Sequence, residues 1–477
     1  MSHTPTGKRW ALDPIMMMFA ALAVAIALTW IIPSGEYQRR GGAETALVVP
    51  GTYQELHKEV SVAALLPPAA PVHGREGGDK PAAKAAVPLT AVSPAALVTA
   101  IPAGLVKSAN LIFMILLLGG MFGVLRASGA LDAGIERLLA LTGGRIGIVT
   151  PVVMVAVSAG STFLGLISEY LLIIPIVVAL AERMGCSRLY GFAMLTLAAK
   201  VGYLASVTNP VALLIAQPIV GMPVFSGAAL RLGIWVLFLA IAIVVVLRLG
   251  RGGAHATVPC HDAPLAGRHL GVLAAVGATV LLLIGGSSLL GWRDAQFASL
   301  FVAAGAIMGI AAGMTPRQGA HAFVDGMKSM MLAALLIGMA RGVELVLRDG
   351  RILDTIIAWA SHHVDGMPPV VVAPLVMVFE MFLTLLIPST SAKAALSIPI
   401  LAPIAQTVGV SGQTTVLAFL LGNGLVNMFA PTSGMLLAYL ASANIPYGAW
   451  FRFVLPVFVL FTVLSAAATV VAVLTGY

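Results

Sequence analysis

Two stretches of this chain, Gly160–Pro210 and Leu383–Gly434, follow one plan, and that repetition restricts the fold more than any other feature. Each has a polar tip (GSTFLGLISE in the first, IPSTSAK in the second), an apolar run, a Gly turn, a long apolar helix and a polar break containing Thr. A shift of 224 residues carries Pro175 onto Pro399, Gly185 onto Gly409 and Thr208 onto Thr432; it also carries Glu169 onto Lys393 and Asn209 onto Ser433. The repeat reaches further back. A shift of 222 carries Val124-Leu125-Arg126 onto Val346-Leu347-Arg348, Leu131-Asp132 onto Leu353-Asp354 and Gly120 onto Gly342. Apolar segments interrupted at matching places in two halves are the pattern of a membrane carrier whose binding site lies at the interruptions.

Composition decides the solvent. Of 477 residues, 59% are hydrophobic and 10% charged, with mean hydropathy +1.00. A soluble chain carries roughly 25% charged residues, and several runs here reach the length of about 20 that crosses a bilayer as a helix. The fold class is therefore an all-α polytopic membrane protein. The net charge of +8 is scattered between spans, which excludes a nucleic-acid patch and favours an acidic membrane face. Cys186 and Cys260 form no spacing motif, so neither a disulfide framework nor a cysteine metal site is expected.

In chain order, a first span covers 14–32 and remains as an anchor. A long external loop covers 33–102, with an Ala/Pro/Gly-rich run over 67–94 that reads as flexible. A second span covers 103–125, and 127–145 reads as an amphipathic surface segment. Residues 146–184 are too long for one span and carry GSTFLG in the middle, which predicts a re-entrant hairpin; two ordinary short helices with a bend are the alternative. A broken helix over 189–219 and a span over 228–248 close the first half, 1–248. A cytoplasmic linker covers 249–269. The second half, 270–477, has spans at 270–290, 296–315 and 329–347, an amphipathic segment at 348–366, a second hairpin at 368–408, a broken helix at 413–442 and a last span at 450–474. With the N-terminus inside, most short loops on the cytoplasmic side carry Arg or Lys. Arg231, Arg293, Arg348 and Arg351 are the exceptions. The halves contain four and five spans, and the odd span inverts one repeat relative to the other.

The candidate site follows from the interruptions. Its first part is Ser161, Thr162, Ser168, Glu169, Ser206, Thr208 and Asn209. Its second part is Ser389, Thr390, Ser391, Lys393, Asn423, Asn427, Thr432 and Ser433. Half-helix N-termini favour anions and free C-terminal carbonyls favour cations; an isolated Ser or Thr bonded to its own helix is the alternative at any one position. Charges within spans are costly, so they face a cavity or a partner. Glu169, Lys200, Arg341, Glu344, Glu380 and Lys393 are such charges. Arg341 and Glu344, three apart, read as an ion pair, and Glu380 as either a site residue or one near the outer interface. Lys393 and Lys200 read as a charged switch for a carboxylate-bearing solute, with a permanent Lys393–Glu169 pair as the alternative.

The segments DPIMMMFAALAVAIALTWIIPSGEY, TNPVALLIAQPIVGMPVFSG, IPSTSAKAALSIPILAPIA and FAPTSGMLLAYLASANIPYGAWFRFV resemble the YfcC-like carriers, which are grouped with C4-dicarboxylate uptake carriers and arginine/ornithine antiporters of the ion transporter superfamily. The resemblance implies an inverted-repeat, elevator-type secondary transporter in a bacterial inner membrane, a homodimer with a scaffold and a moving domain, and a small-molecule substrate of the amino-acid or dicarboxylate class. It places substrate and coupling-ion sites at Ser168–Glu169, Thr208–Asn209, Ser389–Lys393 and Pro431–Ser433. It implies no cofactor, with Na+ or H+ as coupling ion or exchange in its place. Lys393 and Lys200 depart from the family pattern, and SAKAAL is closer to the aminobenzoyl-glutamate carriers of the same superfamily. Two other classes compete, a membrane-embedded enzyme and a permease subunit driven by a partner ATPase. The chain has no H-E-x-x-H, G-x-S-x-G or G-x-x-x-x-G-K-[ST] motif for either chemistry.

Overall fold

The computed structural model describes residues 14–40, 47–49, 51–58, 91–134, 137, 146–250, 267–292, 294–362 and 366–477. Residues 67–90 of the expected flexible run, most of the 127–145 segment and the linker interior lie outside the described residues.

The described chain is helical apart from four short strands. The first helices are α1 (Pro14–Ile31), α2 (Ala96–Lys107) and α3 (Ala109–Ala127). Then come α4 (Ile146–Leu164), α5 (Tyr170–Arg183), α6 (Arg188–Ala205), α7 (Pro210–Ile219) and α8 (Ala228–Gly250). The second half opens with α9 (Gly267–Leu290), α10 (Asp294–Ala311), α11 (Pro316–Lys328), α12 (Met331–Asp349) and α13 (Leu353–His362). It closes with α14 (Pro369–Leu386), α15 (Thr390–Thr407), α16 (Gly412–Val426), α17 (Gly434–Ser442) and α18 (Tyr447–Leu474). Among the described residues, six helical segments are long and apolar enough to span a bilayer, or seven when α11 and α12, bent by 42°, count as one. Their outward faces carry large apolar side chains, such as Val152 on α4, Val236 on α8, Phe382 on α14 and Val463 on α18. In water such faces would drive aggregation, whereas lipid tails match them.

Packing follows the repeat. α6 touches α4, α5 and α8, and α16 touches α14, α15 and α18 in the same way; α6 and α16 meet at the centre. Around a second centre, α2 packs on α12 and α3 on α11, while α1 joins α12 and α10 joins α3. These last crossings are close. A Cβ on Gly104 would stand 2.1 Å from the Gly338 carbonyl oxygen, and one on Gly326 would stand 2.1 Å from that of Gly119. Only glycine lets the backbones approach so far.

Three expectations need correction. Residues 33–102 are not all loop. β1 (Ser34–Glu36) pairs with β4 (Gln54–Leu56), β2 (Arg39–Arg40) pairs with β3 (Leu47–Val48), and α2 begins at Ala96. The sheets dock on the turn before α13, where Gly35 N donates to Arg351 O at 2.9 Å and Arg39 Nη2 meets Asp354 Oδ1 at 2.8 Å. The second span is not one helix over 103–125, because the chain breaks at Ser108 between α2 and α3. An unexpected helix, α11, precedes α12. It is polar enough to escape a hydropathy reading, yet Thr315 and Gln318 form a capping box with Pro316 at its first position.

Candidate functional site

Each repeat contains a hairpin and a broken helix, and their interruptions surround one cavity of about 590 Å³. The first hairpin turns through 165–169, between α4 and α5, and the second through 387–389, between α14 and α15. The broken helices are α6–α7, interrupted at 206–209, and α16–α17, interrupted at 427–433. Ser168 and Glu169 line the cavity at the start of α5, Val211 at the start of α7, Ser389–Ser391 at the start of α15, and Thr432–Met435 at the start of α17. Four helix N-termini therefore border one space. Their helix dipoles make it favourable to negative charge. Asn110, in the first turn of α3, and Arg341 of α12 add a wall from the other group of helices.

Charge points the same way. Lys200 lines the cavity from α6 and is 5% exposed. Its Nζ lies 5.6 Å from the ring centroid of Tyr439. Among the described residues this ammonium has no hydrogen-bond acceptor and no carboxylate partner. Arg341 is paired with Glu344 along α12, as its spacing predicts. Glu169 is the cavity's acid; its Oε2 accepts from Ile167 N at 2.8 Å. The hydroxyl of Thr432, which also lines the cavity, is buried without a hydrogen-bond partner among the described residues.

The expected residues separate into two groups. Ser168, Glu169, Lys200, Ser389, Thr390, Ser391, Asn427, Thr432 and Ser433 line the cavity. Five others fasten the first hairpin and break instead. Ser161 Oγ donates to Ala199 O at 2.8 Å, Thr162 Oγ1 accepts from Val207 N at 3.0 Å, and Thr208 Oγ1 donates to Phe163 O at 3.2 Å. Ser206 takes the left-handed turn that ends α6, at φ 44°, and its hydroxyl donates to Tyr203 O. Asn209 caps α7 by accepting from Val211 N at 2.9 Å. Asn423 sits one layer back. Its Nδ2 donates to Tyr203 Oη at 3.0 Å and to Thr390 Oγ1 at 3.1 Å, while Asn427 Nδ2 donates to Asn423 O at 2.9 Å and Ser433 Oγ donates to Asn427 Oδ1 at 3.2 Å. This chain of bonds joins α6 to the second hairpin and the second break.

Lys393 is not in the cavity and does not pair with Glu169. It is 0% exposed and points across its hairpin to Glu380, itself 1% exposed, with Nζ 3.3 Å from Oε2. Glu380 is therefore a buried partner and not an interface residue. Sequence reasoning missed Asn110, Tyr203 and Tyr439, because nothing local marks a residue that becomes a wall through packing. Among the described residues no group of three or more His, Cys, Asp or Glu is placed to hold a metal ion.

The profile of the family described as "DcuC: C4-dicarboxylate anaerobic carrier" matches residues 13–249 and 265–474. The chain belongs to the DcuC family. It is thus a membrane carrier and not an enzyme. It is 27% identical over 506 residues to an Escherichia coli (strain K12) protein named "Putative basic amino acid antiporter YfcC", covering 98% of both chains. A Haemophilus influenzae protein without a functional name is 26% identical over 503 residues, covering 92% of each. Among solved structures, the Alcanivorax borkumensis YdaH transporter aligns with 98% of this chain and 99% of its own at TM-score 0.42 and 16% identity. Neisseria gonorrhoeae MtrF, from a class described as antimetabolite efflux pumps, aligns with 98% and 96% at TM-score 0.40 and 16% identity.

Proposed function

We propose that this DcuC-family carrier is a secondary transporter of a small carboxylate-bearing solute, an amino acid or a C4-dicarboxylate, and that the 590 Å³ cavity is its binding site. One observation carries the reading: four helix N-termini and the unpaired Lys200 ammonium surround the same space. A carboxylate placed there lies at the positive ends of four helix dipoles and pairs with an ammonium that has no partner among the described residues. Thr432 supplies a hydroxyl, and Glu169 can hold an ammonium when the solute is a zwitterion. The family's description names C4-dicarboxylates, and the E. coli relative's name specifies basic amino acids. With Arg341 paired to Glu344, the remaining lining charges are Glu169 against Lys107 and Lys200, which favours the anionic solute over a free cationic one.

In this reading the hairpins and broken helices, α4–α8 and α14–α18, move as a body against α1–α3 and α10–α12, with the cavity between them. The two halves are inverted repeats with re-entrant hairpins, the protein is a homodimer in the bacterial inner membrane, and the N-terminus is cytoplasmic. Purified protein in liposomes without ATP should show counterflow of a labelled dicarboxylate or α-amino acid. Lys200→Met should raise KM for it by about 10- to 100-fold, the range for a charge-assisted hydrogen bond. Counterflow competed by arginine and by no carboxylate of lower charge would overturn the substrate class. Absence of counterflow for all of them would overturn the transporter reading. Cysteines introduced within 67–94 and within 251–266 should label from opposite sides of the membrane; labelling from one side would remove the inverted topology.

A further inference from the structure

Two buried cations stand beside the interruptions but outside the cavity. Arg231 of α8 is 0% exposed and has no carboxylate partner among the described residues. Its Nη2 donates to Val207 O, in the first break, at 3.1 Å and to Phe225 O at 3.5 Å; its Nη1 donates to Tyr477 Oη at 3.1 Å. Lys393 of α15 is equally buried. Its Nζ donates to Thr384 Oγ1 at 2.5 Å and to Glu380 O at 3.3 Å, and it lies 3.3 Å from Glu380 Oε2 and 4.8 Å from the ring centroid of Phe419.

The atoms these cations touch are the kind a metal ion takes. An interrupted helix leaves carbonyls at its C-terminal end, where the helix dipole favours positive charge. In carriers built from broken helices, coupling cations bind at such carbonyls. Val207 O lies just past the end of α6. Glu380 and Thr384 offer a carboxylate, a carbonyl and a hydroxyl oxygen within one turn of α14. At the other hairpin and the other break the donors are neutral. Tyr170 Oη donates to Val157 O at 2.5 Å across the first hairpin. Trp450 Nε1 donates to Met428 O at 2.8 Å, and Tyr447 Oη donates to Phe429 O, in the second break. Each half thus has one interruption held by a fixed positive side chain and one held by neutral donors.

We infer that Arg231 and Lys393 are resident cations: they fill, as side chains, the oxygen clusters that a coupling metal ion would take, so this carrier works without Na+. The inference deepens the transporter reading, and its first test is independent of transport. Thermal unfolding of the purified full chain in detergent is measured while NaCl replaces choline chloride at constant ionic strength. The wild type should shift in Tm by less than about 1 °C, since no site stabilised by the ion is present. In Lys393→Ala the vacated Glu380–Thr384 cluster becomes available, and Na+ should raise Tm over choline by about 3 °C or more. A Na+-specific rise in the wild type, or no Na+ response in a folded Lys393→Ala, would overturn the assignment. Should Lys393→Ala fail to fold, the wild-type titration decides together with counterflow in choline medium. Counterflow that needs Na+ overturns the inference and leaves the transporter reading standing, whereas counterflow absent in both salts defeats the transporter reading and leaves the Tm titration to judge the cations.

Discussion

The two hairpins are built alike and fastened differently. In both, a side chain at the start of the second arm reaches back to a carbonyl thirteen residues earlier: Tyr170 to Val157 in the first, Lys393 to Glu380 in the second. The shift that superposes these contacts is 223 residues, so the counterpart of Lys393 across the hairpin is Tyr170, and not the Glu169 that the landmark prolines align with it. A phenol needs only one acceptor when buried. An ammonium needs a compensating charge as well, and Glu380 supplies it where the first hairpin has Val157. The breaks reverse the assignment: a guanidinium holds the first, while an indole and a phenol hold the second. The repeat conserves where the chain is interrupted and where a donor must reach in. It does not conserve the donor's charge.

The largest expected effect tests the hairpin contrast. Lys393→Met leaves a buried carboxylate unpaired and should cost about 3–5 kcal/mol, read as lost folded protein or a lower unfolding midpoint. Lys393→Met combined with Glu380→Met should recover most of that loss. Tyr170→Phe should cost only about 0.5–1.5 kcal/mol. If the single lysine variant is no worse than Tyr170→Phe, the two hairpins are energetically equivalent and the contrast fails.

The breaks come next. Arg231→Met removes charge-assisted bonds to Val207 and Phe225 and should cost about 1.5–3 kcal/mol. Trp450→Phe removes one neutral bond to Met428, at about 1 kcal/mol. Denaturant midpoints in one detergent would rank them, and the reverse order would show that the second break depends more on its neutral donors than the first does on its cation.

The smallest effects separate equivalent threonines. Thr432 lines the cavity with a hydroxyl that has no partner among the described residues, while Thr208 is bonded to Phe163 O. Thr432→Val should raise KM about three- to tenfold with little change in stability, the worth of one hydrogen bond to solute. Thr208→Val should leave KM unchanged and lower stability by about 0.5–1.5 kcal/mol. Equal KM changes in both would mean that the two breaks contribute alike to binding.

Local chemistry was sufficient for much of this molecule. Apolar runs of bilayer length announce helices in lipid, and clusters of Ser, Thr, Gly and Pro mark where those helices stop. Thr208 and Thr432 fall within the breaks before α7 and α17, whereas the landmark prolines Pro175 and Pro399 lie inside α5 and α15. The helix behind the Thr315–Gln318 capping box is not read, because it is polar enough to hide from a hydropathy reading. Tertiary structure alone decided the rest. Residues 96–102 read as loop, yet they open α2, a helix held by burying Gly104 against Gly338. Lys393 announces a buried charge that must find a partner, but Glu169 and Glu380 satisfy that requirement equally well on paper. Only the packing of α14 on α15 places one of them 3.3 Å away and sends the other to the cavity. The cost of an unpaired charge in a low dielectric is a property of the residue, whereas the identity of its partner is a property of the fold.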